Sequence, residues 1–158
     1  MRKAFIFLGF ILLLLDQFSK NYFIKNLKFF EGYQIKITNF LSVVYAWNYG
    51  ISFGFFSEYR QYSNTIFLVM NFAITLYICF LAKGSNAKME LLSYVLIISG
   101  AVGNLIDRIY RGAVFDFIKF HYNEHYFPVF NFADSYISIG AFLLFLFAIN
   151  DRLRLKTQ

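Results

Sequence analysis

Cysteine occurs once in the 158 residues, at Cys79 in the middle of an apolar run. A single thiol there leaves no disulfide, no CxxC pair and no thiolate site to build chemistry on. Acidic residues are scarce, nine against fifteen Lys and Arg, for a formal net charge of +6. Nucleic-acid binding would use such an excess on a soluble basic face, and none is visible, which leaves no nucleic-acid partner. Contact with anionic headgroups and topology signalling account for the excess instead. The chain also lacks a Ser-His-Asp signature, a glycine-rich phosphate loop and a Walker motif. No internal repeat, low-complexity tract or linker divides it, so one domain, residues 1–158, is expected.

What the sequence has in excess is apolar and aromatic surface. Hydrophobic residues make up 59% and aromatics 23%, with 23 Phe and a mean hydropathy of +0.53. A soluble domain of this size has no interior able to hide so many rings. The class is an integral membrane protein of the all-α kind. Four spans, about residues 4–24, 65–82, 91–110 and 130–149, each approach the ~20 residues that cross a bilayer. Arg2-Lys3 ahead of the first apolar run resembles a secretory signal peptide, but the run passes into Asp16-Gln17 with no small-x-small cleavage site.

Successive spans cross in opposite directions, which sorts the polar residues. The end of span one, the end of span three, the start of span four and both longer connections share one side. That side collects Asp16, Lys20, Asn48, Asn104, Asp107, Arg108, Asp116, Asn131 and Asp134. The other side holds the N-terminal tail, a short polar turn over residues 83–90 and the C-terminal tail. Lys and Arg divide seven against eight between the sides, so counting them does not orient the chain. The tails and short turn are net basic, which favours both termini in the cytoplasm. In the first long connection, Gln34-Ile-Lys-Ile-Thr38 alternates polar and apolar, and residues 43–47 are β-branched and aromatic. Short strands are expected there, a small sheet roofing the polar cluster, with a plain interfacial loop as the alternative. Asn48-Tyr49-Gly50 reads as a turn. Phe53, Phe55, Phe56 and Tyr59 read as a membrane-interface belt.

Each polar group has a structural and a chemical reading. Asp16 and Lys20, at i and i+4, read as an ion pair with a snorkelling lysine, while Asp16 could equally orient a neighbouring site group. Adjacent Asp107 and Arg108 read as structural pairing where span three leaves the bilayer. Asn104, Asp107 and Arg108 are spaced to share a helix face, as are Asn131, Asp134 and Ser135. Asn104 suits a hydrogen bond to a carboxylate or backbone group, and Gly100 and Gly103 suit close helix approach. Asp116 and Asp134 have no cation near them in sequence. Asp116 lies between Phe115 and Phe117, where desolvation favours the protonated carboxyl. Two carboxylates brought together cannot both ionise cheaply, so one keeps a proton while the other acts as base, the requirement for aspartyl peptide hydrolysis. The alternative is two separate helix-end caps. His121-Tyr-Asn-Glu124-His125 matches an inverted zinc-peptidase motif, but no Glu follows Glu124 to complete the ligand set, and no metal is expected. A proton or ion transporter would need relay residues reaching both faces, and a purely structural subunit gives two unpaired aspartates no role.

At these residues the chain resembles the lipoprotein signal peptidases, signal peptidase II. The blocks are Asp16-Gln-Phe-Ser-Lys20, Asn48-Tyr-Gly50 with Phe53, Gly103-Asn-Leu-Ile-Asp-Arg108, Val114-Phe-Asp-Phe-Ile118 and Phe127-Pro-Val-Phe-Asn-Phe-Ala-Asp-Ser135. Ser99 replaces the first of paired glycines, and Phe115 replaces a frequent valine. The resemblance implies a four-helix membrane aspartyl endopeptidase of the bacterial inner membrane, working without a cofactor at the outer leaflet. It implies a catalytic pair at Asp116 and Asp134. Supporting positions map to Asp16, Lys20, Asn48, Gly50, Asn104, Asp107, Arg108, Asn131 and Ala133. The implied substrates are prolipoproteins carrying a diacylglyceryl cysteine, cut just before that cysteine. Membrane lipids and globomycin-type inhibitors are the other implied partners, and a monomer the implied state.

Overall fold

The computed structural model describes residues 2–27, 34–50, 60–122 and 124–156. In chain order these form α1 (Arg2–Leu27), β1 (Gln34–Lys36), β2 (Leu41–Asn48), α2 (Arg60–Gly84), α3 (Lys88–Arg111), β3 (Val114–Tyr122), β4 (His125–Tyr126) and α4 (Phe132–Lys156). All four helices are long and apolar enough to cross a bilayer. They overrun most of the expected boundaries, because terminal turns continue into the polar flanks. The exception is the start of α4, at Phe132 rather than residue 130. Residues 53, 55, 56 and 59, the expected aromatic belt, lie outside the described residues.

The bundle is organised around α3. Helices α1, α2 and α4 each pack on it, and α1 and α2 pack on α3 rather than on each other. The reason is in its sequence. Ser93, Ser99, Gly100, Ala101 and Gly103 are all buried, and small residues let neighbouring backbones come close. A Cβ on Gly100 would stand 2.3 Å from the Ala133 carbonyl oxygen of α4. One on Gly103 would stand 2.5 Å from Asp16 Oδ2 of α1. The outer helices turn rings and aliphatic chains outward: Phe18, Phe72, Phe80 and Phe145 are all exposed. In a protein whose solvent is lipid, that surface is satisfied rather than stranded.

The strands form one antiparallel sheet in the order β1-β2-β3-β4. The expected strands of the first long connection are there, but they supply only half the sheet. Strands β3 and β4 come from the connection between α3 and α4. Strand β2 pairs with β3 from Leu41↔Phe120 to Asn48↔Val114, with an irregularity between Val43 and Ala46. Strand β3 is also tied to the approach to α4: Phe117 and Ile118 N–H donate to the Phe130 carbonyl, and Phe130 N–H donates to Ile118. That tie holds residues 130 and 131 out of α4. It also fixes the start of α4 beside the middle of β3.

Candidate active site

Asp116 sits on β3 opposite Ala46, and Asn48 opposite Val114, so both side chains share a face of the sheet. Asn48 Nδ2 donates to Asp116 Oδ2 at 3.0 Å. The orientation of this amide is set from behind: Gly50 N–H donates to Asn48 Oδ1 at 2.8 Å. Gly50 adopts φ 94° to do so, and a Cβ there would fall 2.1 Å from the Phe67 ring. Only glycine fits on both counts. The alternate residues of β3, Phe115 and Phe117, are fully buried against rings of Tyr45, Trp47, Phe23 and Phe132.

Asn131 joins the two carboxylates. Its Nδ2 donates to Asp116 Oδ1 at 2.7 Å, and its backbone N–H donates to Asp134 Oδ2 at 3.2 Å. Asp134 N–H returns a bond to Asn131 Oδ1 at 3.0 Å. This is a reciprocal cap on the first turn of α4, so Asn131 precedes the helix instead of sharing its face with Asp134. Helix cap and carboxylate pair are one structure. Burial, followed by the nearby Asp134 carboxylate, pushes the Asp116 carboxyl up to about 7, against the pull of the Asn48 and Asn131 amides and of Lys20. Desolvation therefore acts on Asp116 in the expected direction.

Behind the pair lies a buried ionic cluster. Lys20 Nζ is 3.0 Å from Asp16 Oδ2, 3.0 Å from Asp107 Oδ2 and 3.1 Å from Asn104 Oδ1. The expected ion pair is present, but the lysine does not snorkel. It is fully buried because two carboxylates and an amide oxygen satisfy all three of its donors. Asn104, with its oxygen on the ammonium, points Nδ2 at Asp134 Oδ1 at 2.8 Å. Asp16 Oδ1 accepts the N–H of buried Ala133, so it also positions α4. Asp107 pairs with Lys20 and Arg111 and not with its neighbour Arg108. It also accepts Phe115 N–H at 3.2 Å, which holds the start of β3. Arg108 turns to the other flank, where it donates to Asn64 Oδ1 at 3.2 Å and lies 5.3 Å over the Phe67 ring. Of the three residues expected on one face, Asn104 and Arg108 both line one cavity, while Asp107 turns to Lys20 of α1.

A cavity of about 290 Å³ opens between α2, α3 and α4. Its polar end is Asn48, Asn104, Arg108 and Asp134, and its remaining wall is mostly apolar, with Phe67, Met70, Ile74, Ile97 and Ile137. Asn64, Gln17 and Arg111 were not anticipated. Gln17 donates to Asp16, to the Gly103 carbonyl and to Asp107. The spacing of Arg111 four residues after Asp107 was the available signal; Asn64 had none, since its partner is on another helix. His121 packs against Ser42 Oγ at 2.9 Å, and its strand position is five residues from Asp116, roughly 17 Å along β3. His125 pairs opposite Tyr122 on the same hairpin. The described residues contain no group of three His, Cys, Asp or Glu side chains able to hold a metal.

Fold and site together define a polytopic membrane protein with two carboxylates bridged by Asn131 where the helices meet a small sheet. The sequence pattern of the Signal peptidase (SPase) II family matches residues 8–150, and the chain belongs to that family of membrane peptidases. Its relatives include the "Lipoprotein signal peptidase" of Rickettsia akari, 54% identical over 133 residues, 84% of this chain and 68% of that protein. The protein of the same name from Rickettsia conorii is 53% identical over 84% of this chain and 66% of its own length. The chain thus spans about two thirds of these relatives. Two solved structures, each described as a bacterial membrane enzyme determined by the in meso method, share the fold. One has a TM-score of 0.81 at 26% identity, covering 95% of this chain and 90% of the other. The second has 0.79 at 25%, covering 94% of each.

Proposed function

We propose that this protein is an aspartyl endopeptidase that removes signal peptides from prolipoproteins, cutting just before a diacylglyceryl-modified cysteine. The observation that carries the reading is Asn131, which donates to Asp116 with its side chain and to Asp134 with its backbone. In this reading Asp116 and Asp134 are the catalytic pair. Asp116, the more desolvated member, holds the shared proton, and ionised Asp134 takes a proton from the attacking water. The protonated partner polarises the scissile carbonyl and then protonates the leaving amine. Arg108, Asn48 and Asn104 face the same cavity as Asp134 and are suited to hold the peptide backbone. The apolar remainder of that cavity suits a hydrocarbon segment of the substrate, which explains a demand for an acylated cysteine. Asp16, Lys20 and Asp107 orient the pair from behind. The protein acts as a monomer in the bacterial inner membrane, with termini in the cytoplasm and the carboxylates at the outer leaflet.

The test is cleavage of a diacylglyceryl prolipoprotein by purified protein, beside the same substrate without lipid. Cleavage of the lipidated form, its block by globomycin, and its loss in Asp116→Asn and Asp134→Asn proteins that remain folded in the membrane are expected. Full activity in either variant, or equal cleavage without lipid, would overturn the assignment.

A further inference from the structure

The fold opens a second cleft at the far end of the bundle from the carboxylates. Because α1 and α2 both pack on α3 and not on each other, a gap between them faces the membrane. It encloses about 320 Å³, with Phe5 and Ile6 on one wall, Cys79 on the other and Val95 on the floor. That is about twice the ~150 Å³ of an apolar cavity that binds benzene, room for a stretch of hydrocarbon chain. Arg2 and Lys83 stand in the lining at the mouth. Arg2 bridges the helices, donating to the Lys83 carbonyl at 2.9 Å and the Ser85 carbonyl at 2.7 Å. Those acceptors are neutral, so the guanidinium charge is not cancelled. The Glu90 carboxylate accepts from Ser85 Oγ and Tyr94 Oη and forms no ion pair with either cation. Among the described residues neither Arg2 nor Lys83 enters an ion pair.

We propose that this cleft binds one anionic phospholipid, its phosphate at Arg2 and Lys83 and part of an acyl chain along α3 beneath Cys79. An apolar slot between two outward-facing helices, lined by two cations that form no ion pair among the described residues, is complementary to that molecule more than to a zwitterionic one. Basic pockets between membrane helices recognise anionic headgroups in this way. The occupant would fill the space that α1 and α2 leave between them and clamp both to α3.

Cys79, the one cysteine of the chain, makes the cleft readable. The full-length protein is reconstituted in phosphatidylcholine bilayers with and without a minority of phosphatidylglycerol, and alkylation of Cys79 by a membrane-permeant maleimide is timed. Phosphatidylglycerol is expected to slow alkylation severalfold. Lys83→Ala, which removes a side chain with no bonded protein partner among the described residues, should abolish most of that protection, and Arg2→Gln should do the same. Lys3→Ala and Lys88→Ala, basic positions at the same end but outside the lining, should keep it. A general effect of surface charge on the thiol would act equally on all four variants. Equal rates in the two bilayers, or protection that survives in Lys83→Ala, would overturn the proposal.

Discussion

At Asp116 the fold favours the neutral acid, and this has two measurable consequences. Its carboxyl moves from an ordinary 3.8 to about 7. Between those values the folded chain binds a proton that the unfolded chain has lost, so stability falls as pH rises through that window and levels off above it. Asp116→Asn removes the titration but turns an amide NH2 toward Asn48 or Asn131, both of which donate to Asp116, so no net gain in stability is expected. It should be inactive, and its melting temperature in detergent should lack the fall with rising pH that the unmodified protein shows below about pH 7. Cleavage by the unmodified protein should decline as pH rises past about 7, because Asp116, the acid proposed to serve the leaving amine, is then ionised. Asn131→Ala leaves both carboxylates in the chain but removes the side chain that positions Asp116 and caps α4. A rate loss of about 100-fold is expected, the scale of a 1 Å misplacement of reacting groups, measured as kcat on the lipidated substrate.

The elements meet through small residues and one buried charge cluster, and each can be tested separately. Gly100→Ala would drive a methyl into the Ala133 backbone carbonyl, which cannot move without shifting α4. Gly103→Ala would meet the Asp16 carboxylate that holds Lys20 and Ala133. Both should cost about 1–3 kcal/mol through overpacking, read as earlier thermal inactivation. Gly84→Ala, at the end of α2 with nothing within 4 Å, is the control and should leave stability unchanged. Lys20→Met leaves Asp16 and Asp107 facing each other without their shared cation. A loss of roughly 3–5 kcal/mol is expected, the cost of breaking a buried pair from one side. The i, i+4 spacing of Asp16 and Lys20 was legible in the sequence. The direction the lysine takes was not, because snorkelling and burial differ only in whether a second acid and an amide wait on another helix.

For the whole molecule, alternation of four spans puts both termini on the face away from the carboxylates. The proposed orientation, carboxylates at the outer leaflet, predicts that a reporter active only in the cytoplasm is active when fused at Gln158 and one active only outside is silent there. The opposite result would place the carboxylates on the cytoplasmic face. At this scale the sheet was half visible. Residues 34–38 alternate polar and apolar and residues 43–47 are rich in β-branched and aromatic side chains, as strands are, whereas residues 114–118 form an apolar stretch interrupted only by Asp116, which reads as a strand only once β2 is there to pair with it.

Hydropathy, the count of spans and the order of the polar blocks are properties of the chain read locally. They were enough to settle a four-helix membrane protein with its carboxylates gathered on one side. Which groups share a hydrogen bond is a matter of contacts between residues far apart in the chain. Asn131 bridging Asp116 and Asp134, Lys20 aiming the amide of Asn104, and Arg108 parting company with Asp107 all depend on how β3 is tied to Phe130 and how closely α3 lets its neighbours approach. No local pattern encodes such pairings, because each is made only when packing brings the second partner to the first.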